Sequence, residues 1–375
     1  MNLDRIRQEF PVVRHCTYLN HAAVGTLPGR AREAVQAYLA DFNEYAASHY
    51  SNWEGAIETT RSRAARLINA APEQIAFVKN TTEGLCFAAN GIDWRPGDNV
   101  VLNDLEFPSN VYPWLNLSRH GVETRMVESV DGRLSVESIE ERIDSRTRAV
   151  SISHVEYGNG FRNDIAAIGA LCHEKRVVFV VDAIQSLGQT PVDVEAMGID
   201  ILTADGHKWL LSPEGIGVFY CAPHLTERLR LYEVGWNSVA DAGNYDSYDP
   251  TPAPTARRFE CGSHNTLGIH ALGASLDLLL EVGIEAVQGR LRLLTDRLVA
   301  ALHEAGYRIL SPRGKSEWSG IVTFNSPVHE TETLHRTLRS HQIIGARRGG
   351  GIRISPHFYN TEEEVLRVVS ALPGH

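Results

Sequence analysis

Long apolar runs are missing from this chain. The longest candidate, Ile165 to Cys172, reaches about eight residues, against the roughly 18 to 20 that a membrane-crossing helix needs, so no membrane partner is expected. Residues Met1 to Val13 mix acids and bases before any apolar stretch forms. They lack the basic, hydrophobic, small-residue order of a secretory signal, and a cytoplasmic protein is expected. Cysteine is sparse. Cys16, Cys86, Cys172, Cys221 and Cys261 are odd in number, lie far apart and show no Cys-x-x-Cys spacing, which argues against a disulfide framework and a thiolate metal site. Histidines are more numerous, but none stands in a His-Glu-x-x-His arrangement, so no metal is expected. Basic runs stop at pairs such as Arg347-Arg348 and the formal net charge is -10, which argues against a nucleic-acid partner. Internal repeats, low-complexity segments, a Gly-x-Ser-x-Gly elbow and a Walker-type loop are also missing. Gly158-Asn-Gly-Phe-Arg-Asn163 lacks the third glycine of a dinucleotide fingerprint.

What is present is a globular composition. With 375 residues, 43% of them hydrophobic, the chain has material for a large core and a smaller second one. Ala31, Val35, Tyr38, Phe42 and Tyr45 recur at steps of three and four and predict a helix from Arg30 to Tyr45. Short β-rich runs then alternate with helical patterns: Ile75 to Val78, Val100 to Asn103, Ala149 to Val155, Val177 to Val181, Ile201 to Ala204 and Val218 to Cys221. That rhythm predicts an α/β fold. The continuous apolar run Val177 to Val181, preceded by the helical pattern Ile165, Ile168, Leu171 and Cys172, predicts a mainly parallel sheet covered on both faces. Asp241 to Arg257 reads as a long loop of the kind that often borders a site. Beyond it, helical periodicity from Leu267 to Leu302 breaks near Gly283. The strand-like Ile321 to Phe324, a helix near Glu332 to His341 and a last helix from Thr361 complete a separate α+β unit. The division expected is a large domain at 24–265 and a small C-terminal domain at 266–375 joined by the N-terminal arm 1–23.

Two residues stand at the ends of predicted strands: Asp182, in Val-Val-Asp-Ala-Ile-Gln185-Ser, and Lys208, in Ala-Asp-Gly-His207-Lys208-Trp. Carboxyl ends of neighbouring parallel strands converge on one crevice, so the two side chains are able to face one ligand. A lysine amine that bonds an aldehyde and a carboxylate that keeps a pyridine nitrogen protonated are the two groups pyridoxal phosphate requires. Each has a plainer explanation alone, a helix cap and a surface amine; together they point to the cofactor. Thr81-Thr82-Glu-Gly opens a helical stretch after the strand Ile75 to Val78, where hydroxyls and free backbone N–H groups suit a phosphate, although an N-cap explains the same residues. Arg353, in Gly-Ile-Arg-Ile-Ser-Pro after a triple glycine, is a candidate bidentate partner for a substrate carboxylate.

From Tyr18-Leu-Asn20-His21-Ala-Ala to Ser355-Pro-His-Phe-Tyr-Asn-Thr-Glu-Glu, the chain resembles the class V aminotransferase and cysteine desulfurase family of fold-type-I pyridoxal-phosphate enzymes. Asp182-x-x-Gln185 and His207-Lys208 occur in the family's order and separation. The resemblance implies a large seven-stranded sheet domain and a small α+β domain. It makes Lys208 the cofactor-bearing lysine, Asp182 the pyridinium partner and Gln185 a donor to the ring's phenolic oxygen. Thr81, Thr82 and His207 become phosphate contacts, and Phe107 the ring stacked on the cofactor. Tyr157 stands where an Asn usually meets the phenolic oxygen. Arg353 becomes the substrate carboxylate clamp, with Asn20 and His21 also on the substrate. Ser263 becomes a phosphate contact reaching in from a second subunit, which implies a homodimer with shared active sites.

Three departures bear on the reaction. Desulfurases carry a nucleophilic cysteine on a loop shortly before the clamp arginine, and Arg347 to Gly351 holds none. Phe107 replaces the stacked histidine that desulfurases use as an acid. Asp205 replaces a phosphate-binding serine, and the sequence gives it no role. The expected function is therefore chemistry at the α-carbon of an amino acid, as an aminotransferase or a β-eliminating C–S lyase and not as a persulfide-forming desulfurase. An epimerase of the isopenicillin N epimerase type, or a cofactor-binding pseudoenzyme, is the alternative.

Overall fold

The computed structural model describes residues 2–246 and 248–374. Its strands, in chain order, are β1 (Thr17–Tyr18), β2 (Ile75–Val78), β3 (Asn99–Asn103), β4 (Glu123–Val127), β5 (Thr147–Ser153), β6 (Val178–Asp182), β7 (Ile201–Asp205), β8 (Gly217–Cys221), β9 (Arg308–Ile309), β10 (Val322–Asn325), β11 (Ile343–Ile344), β12 (Ala346–Arg348) and β13 (Gly351–Ile354). Seven of them form one sheet in the order β2-β8-β7-β6-β5-β3-β4, parallel throughout except for the reversed β8. This is the α/β fold with a large, mainly parallel sheet that the chain predicts.

Alternation along the strands explains the two layers of core. Val101, Val150, Val181 and Leu202 pack on one face with Ala64, Ile165, Ile168 and Leu272, which come from the helices Tyr50–Leu67, Ile165–Lys175 and Thr266–Val282. Val100, Ala149, Val180 and Ile201 pack on the other with Leu85, Phe87 and Ala88 of the helix Thr81–Gly91, and with Trp114. Neighbouring side chains point to opposite faces, so near-continuous apolar runs fill both. β4, Glu-Thr-Arg-Met-Val, lies at the sheet edge beside β3 alone and is largely exposed or half-buried. An edge strand needs no apolar face pattern, which is why the sequence reading passes over it.

A third core joins the C-terminal elements. Leu294, Leu298 and Leu302 pack with Val322, Phe324, Leu334, Ile352, Ile354 and Val365, and Leu19 of the N-terminal arm belongs to the same cluster. β9, β10, β12 and β13 form an antiparallel four-stranded sheet, and β1 pairs in parallel with β11. The helix Thr266–Val282 packs instead on the helices Gly29–Tyr45 and Tyr50–Leu67. Gly283, at φ +82°, makes the 77° bend into the following helix Ile284–Glu304. No single helix among the described residues is long and apolar enough to cross a membrane.

Candidate active site

The carboxyl ends of β2, β3, β5, β6 and β7 share one edge of the sheet, and the loops leaving them enclose a cavity of about 250 Å³. Thr81, Thr82, Phe107, Tyr157, Asp182, Gln185, His207, Lys208 and Arg353 all line it. Asp182 is the last residue of β6. Its Oδ1 accepts the N–H of Ile184 at 2.9 Å. Burial raises its carboxyl to about 6, with that N–H and Lys208 opposing the rise. Lys208 sits three residues beyond β7 and is 9% exposed. Burial lowers its amine to about 8, Asp182 acting against the shift and Arg353 with it. The ammonium lies 5.6 Å from the centre of the Phe107 ring. The turn carrying Lys208 is clasped by the N-terminal arm. Gly25 N–H donates to His207 O at 2.6 Å, and a Cβ on Gly25 would stand 2.1 Å from Lys208 O, so only glycine allows this approach.

At one end of the cavity, Asn80 caps the helix Thr81–Gly91 by accepting Glu83 N–H at 2.9 Å. The amides of Thr81 and Thr82 precede the first intrahelical bonds and are left at the positive end of the helix. Thr82 Oγ1 donates to Ser109 at 2.9 Å, and Thr81 Oγ1 accepts Asp205 N–H at 2.9 Å. The Asp205 carboxylate, without a role from sequence, lies 3.0 Å from Nδ1 of His207.

Phe107 and Tyr157 form a wall, their rings edge to face with centroids 5.1 Å apart. Arg353, on the C-terminal strand β13, is 2% exposed. Its Nη1 donates to Tyr157 O at 2.7 Å while its buried Nε has no hydrogen-bond partner. Burial, and then Arg348, lower this guanidinium to about 10, so it is charged at neutral pH. One arm of the fork is held and another is left for a ligand.

Other sequence candidates lie outside the cavity lining. Both ring nitrogens of His21 are taken, Nδ1 by Ser355 O at 2.9 Å and Nε2 by Tyr359 Oη at 2.8 Å, and burial lowers the ring to about 4. Asn20 bridges to Ser355, and its Oδ1 is buried without a partner. Ser263 is exposed. The stretch from Asp241 to Arg257 helps line a different cavity, with Glu58 and Arg61. Conversely Ala22, Ala23, Asn80, Ser109, Ile184 and Arg348 line the cavity without having been picked out from sequence. Ser109 and Arg348 are polar residues two and five positions from Phe107 and Arg353, which is the signal that was available.

An amine, a carboxylate one strand away, an aromatic wall, a helix N-terminus and an arginine with a free N–H meet in one cavity. That donor set suits pyridoxal phosphate with an amino acid beside it. The class V aminotransferase family model matches residues 17–368. A probable cysteine desulfurase of Methanothermobacter thermautotrophicus is 32% identical, covering 97% of this chain and 96% of its own. The apo structure of a cysteine desulfurase from Thermococcus onnurineus superposes with a TM-score of 0.90 at 26% identity, over 98% of this chain and 96% of the other. The cystine C–S lyase C-DES, in complex with its reaction product cysteine persulfide, superposes with a TM-score of 0.88 at 25% identity, over 96% of this chain and 98% of the other.

These relatives correct the functional expectation drawn from sequence. Cysteine desulfurases are persulfide-forming enzymes, and likeness to them over nearly the whole chain overturns the reading of an aminotransferase or lyase that is not a persulfide-forming desulfurase. β12 and β13 are joined by a tight turn at Gly349 (φ +59°) and Gly350 (φ +79°), and a Cβ on Gly349 would stand 2.2 Å from Gly158 O. That contact explains why the turn is glycine and says nothing of where sulfur goes. The chain belongs to the class V aminotransferase family and is a pyridoxal-phosphate-dependent enzyme.

Proposed function

We propose that the protein removes the sulfur of L-cysteine or a close cysteine derivative. The observation that carries this reading is the convergence of Lys208, Asp182 and Arg353 on one cavity in a chain whose relatives include cysteine desulfurases. Bound pyridoxal phosphate stabilises the electron pair left at the α-carbon when one of its bonds breaks. Lys208 would hold the cofactor and, as a free amine, would serve as the base that takes the α-proton. An amine lowered to about 8 is suited to both tasks near neutral pH. Asp182 keeps the pyridine nitrogen protonated. Thr81, Thr82 and His207 hold the phosphate, Gln185 faces the phenolic oxygen, and Phe107 and Tyr157 close the ring's side of the cavity. Arg353 would pair with the substrate carboxylate and so orient the substrate in the cavity. A thiolate from a second thiol would attack the substrate sulfur, forming the S–S bond of a persulfide as the Cβ–S bond breaks, and the three-carbon remainder would keep that electron pair, gain a proton and leave as alanine.

In the same reading the enzyme is a cytoplasmic homodimer, with residues 24–265 as the cofactor-holding unit and the C-terminal part with arm 1–23 as the cover. Ser263 supports the dimer, because it is exposed and does not line its own cavity. The test is incubation of the loaded enzyme with L-cysteine and a reducing thiol, measuring sulfide, alanine, pyruvate and keto acids. Alanine and sulfide in equal amounts are expected. Pyruvate or a keto acid in place of alanine, or no sulfur release, would overturn the reading.

A further inference from the structure

Behind the Phe107 and Tyr157 wall lie two carboxyls that the chemistry above does not use. Glu106 and Glu156 each immediately precede one of those rings, and both are buried, at 7% and 0% exposure. Asn103, the last residue of β3, ties them together. Its Nδ2 donates to Glu106 Oε1 at 2.8 Å and to Glu156 Oε1 at 3.3 Å. Glu106 also accepts the Ser153 amide and hydroxyl, both at 2.6 Å. Glu156 Oε1 accepts Asn163 Nδ2 at 2.8 Å, while its Oε2 is buried with no hydrogen-bond partner.

Among the described residues, neither carboxyl is hydrogen-bonded to a lysine, arginine or histidine. The titratable groups around them are Asp182 at the end of β6, His154 after β5, and Asp104, Asp131, Arg133 and Arg308, which line the outer cavity that Glu156 borders. Asp182 adds a like charge, and burial keeps His154 neutral by lowering its ring to about 3. Arg133 is engaged by Glu317 at 3.1 Å. Two buried carboxylates sharing one amide, without a cation in contact, cannot both stay ionised cheaply. The donors favour charge on Glu106, which receives three, and the unpaired oxygen favours a neutral Glu156.

We propose that Glu156 is a protonated carboxylic acid, and that Glu106, Asn103 and Glu156 act as a positioning unit that holds Phe107 and Tyr157 against the cofactor. Burial, reinforced by Asp182, raises Glu106 to about 7, and burial with the neighbouring Glu106 raises Glu156 further. Both folded-state values lie above the unfolded one. The stability they confer is therefore fully present below about pH 4.5 and is lost as pH rises through about 7 and beyond.

The inference rests on the reading above only in taking this cavity as the cofactor's. Its test needs no turnover, so its failure is distinct from a failure to act on cysteine. Infrared spectra of the cofactor-loaded protein should contain a carboxylic-acid C=O band that remains above about pH 7, where Glu106 has ionised, and that is missing in Glu156→Gln. Thermal unfolding should show an alkaline loss of stability in wild type that flattens in Glu156→Gln. Circular dichroism of the bound cofactor should be kept in Glu156→Gln, which preserves shape and hydrogen bonding, and be altered in Glu156→Ala. Absence of the acid band in wild type, its persistence in Glu156→Gln, or an unchanged alkaline slope in that variant would overturn the proposal. Should the variants fail to fold, the wild-type band and its titration decide alone.

Discussion

The indole Nε1 of Trp209 donates a 2.9 Å hydrogen bond to Oε1 of Gln185. Because Gln185 Nε2 donates to Ala22 O at 2.9 Å, the amide is held in one orientation and keeps its second N–H for the cavity it lines. Trp209→Phe keeps an aromatic side chain but loses part of the buried ring system and leaves a buried oxygen without its donor, at a cost of at least about 1–3 kcal/mol. Denaturant unfolding should show that loss, and the absorption band of the bound cofactor should shift. An unchanged spectrum would mean that Gln185 does not face the cofactor.

Arg353→Lys keeps the charge and loses the planar fork. A hydrogen bond to a charged group is worth about 1.5–3 kcal/mol, so kcat/KM for cysteine should fall roughly 10- to 150-fold. The variant should also lose most of the preference for cysteine over its decarboxylated amine while binding cofactor normally. Unchanged discrimination would move the clamp to Arg348, which lines the same cavity.

Lys208 attacks an aldehyde only as the neutral amine. Its folded value lies near 8, below the usual 10.5 of lysine. The rate at which apo-protein takes up pyridoxal phosphate should therefore rise with pH and level off just above about 8. A rate still climbing towards the ordinary lysine value would contradict the burial and charge environment described for this residue.

Glu260 ties the helix Tyr50–Leu67 to β2, the strand that precedes the helix carrying Thr81 and Thr82. Its side chain and that of Arg61 are each 2% exposed and 2.7 Å apart, and it also accepts Phe77 N–H on β2 at 2.7 Å. Burial pushes the Glu260 carboxyl up, but the hydrogen bond from His264 and the charge of Arg61 outweigh it and bring it down to about 2. The folded value is depressed, so this stabilisation is present above about pH 4.5 and is lost as pH falls towards about 2. Glu260→Gln should cost about 1.5–3 kcal/mol at neutral pH by removing the buried charged partner of Arg61, which keeps Ile75 O and the more exposed Glu58. Urea unfolding should show the gap to wild type narrowing in acid.

Much of this was legible from residue order. Asp182 and Lys208 stand at the ends of apolar runs, and parallel strands bring such ends together whatever the loops do. Phe107 and Tyr157 were picked out by resemblance and Arg353 by its place after a triple glycine, and the cavity gathers them. What the sequence hides is what depends on a side chain's partner. His21 sits in a motif at the cavity's border, yet its ring is spent on Ser355 and Tyr359. Asp205 made no sense beside a phosphate until its contact with His207 was visible. Glu106 and Glu156 are 50 positions apart, and only the pairing of β3 with β5 brings both within reach of Asn103. The edge strand β4 lacks an apolar face and so lacks a pattern to read.

The central claim is that Lys208 carries pyridoxal phosphate at the crevice formed by β6 and β7. Reduction of the yellow, cofactor-loaded protein with borohydride, followed by peptide mapping, should find the cofactor fixed on Lys208. An adduct on another lysine, or a protein that stays colourless after the cofactor is added, would contradict the account.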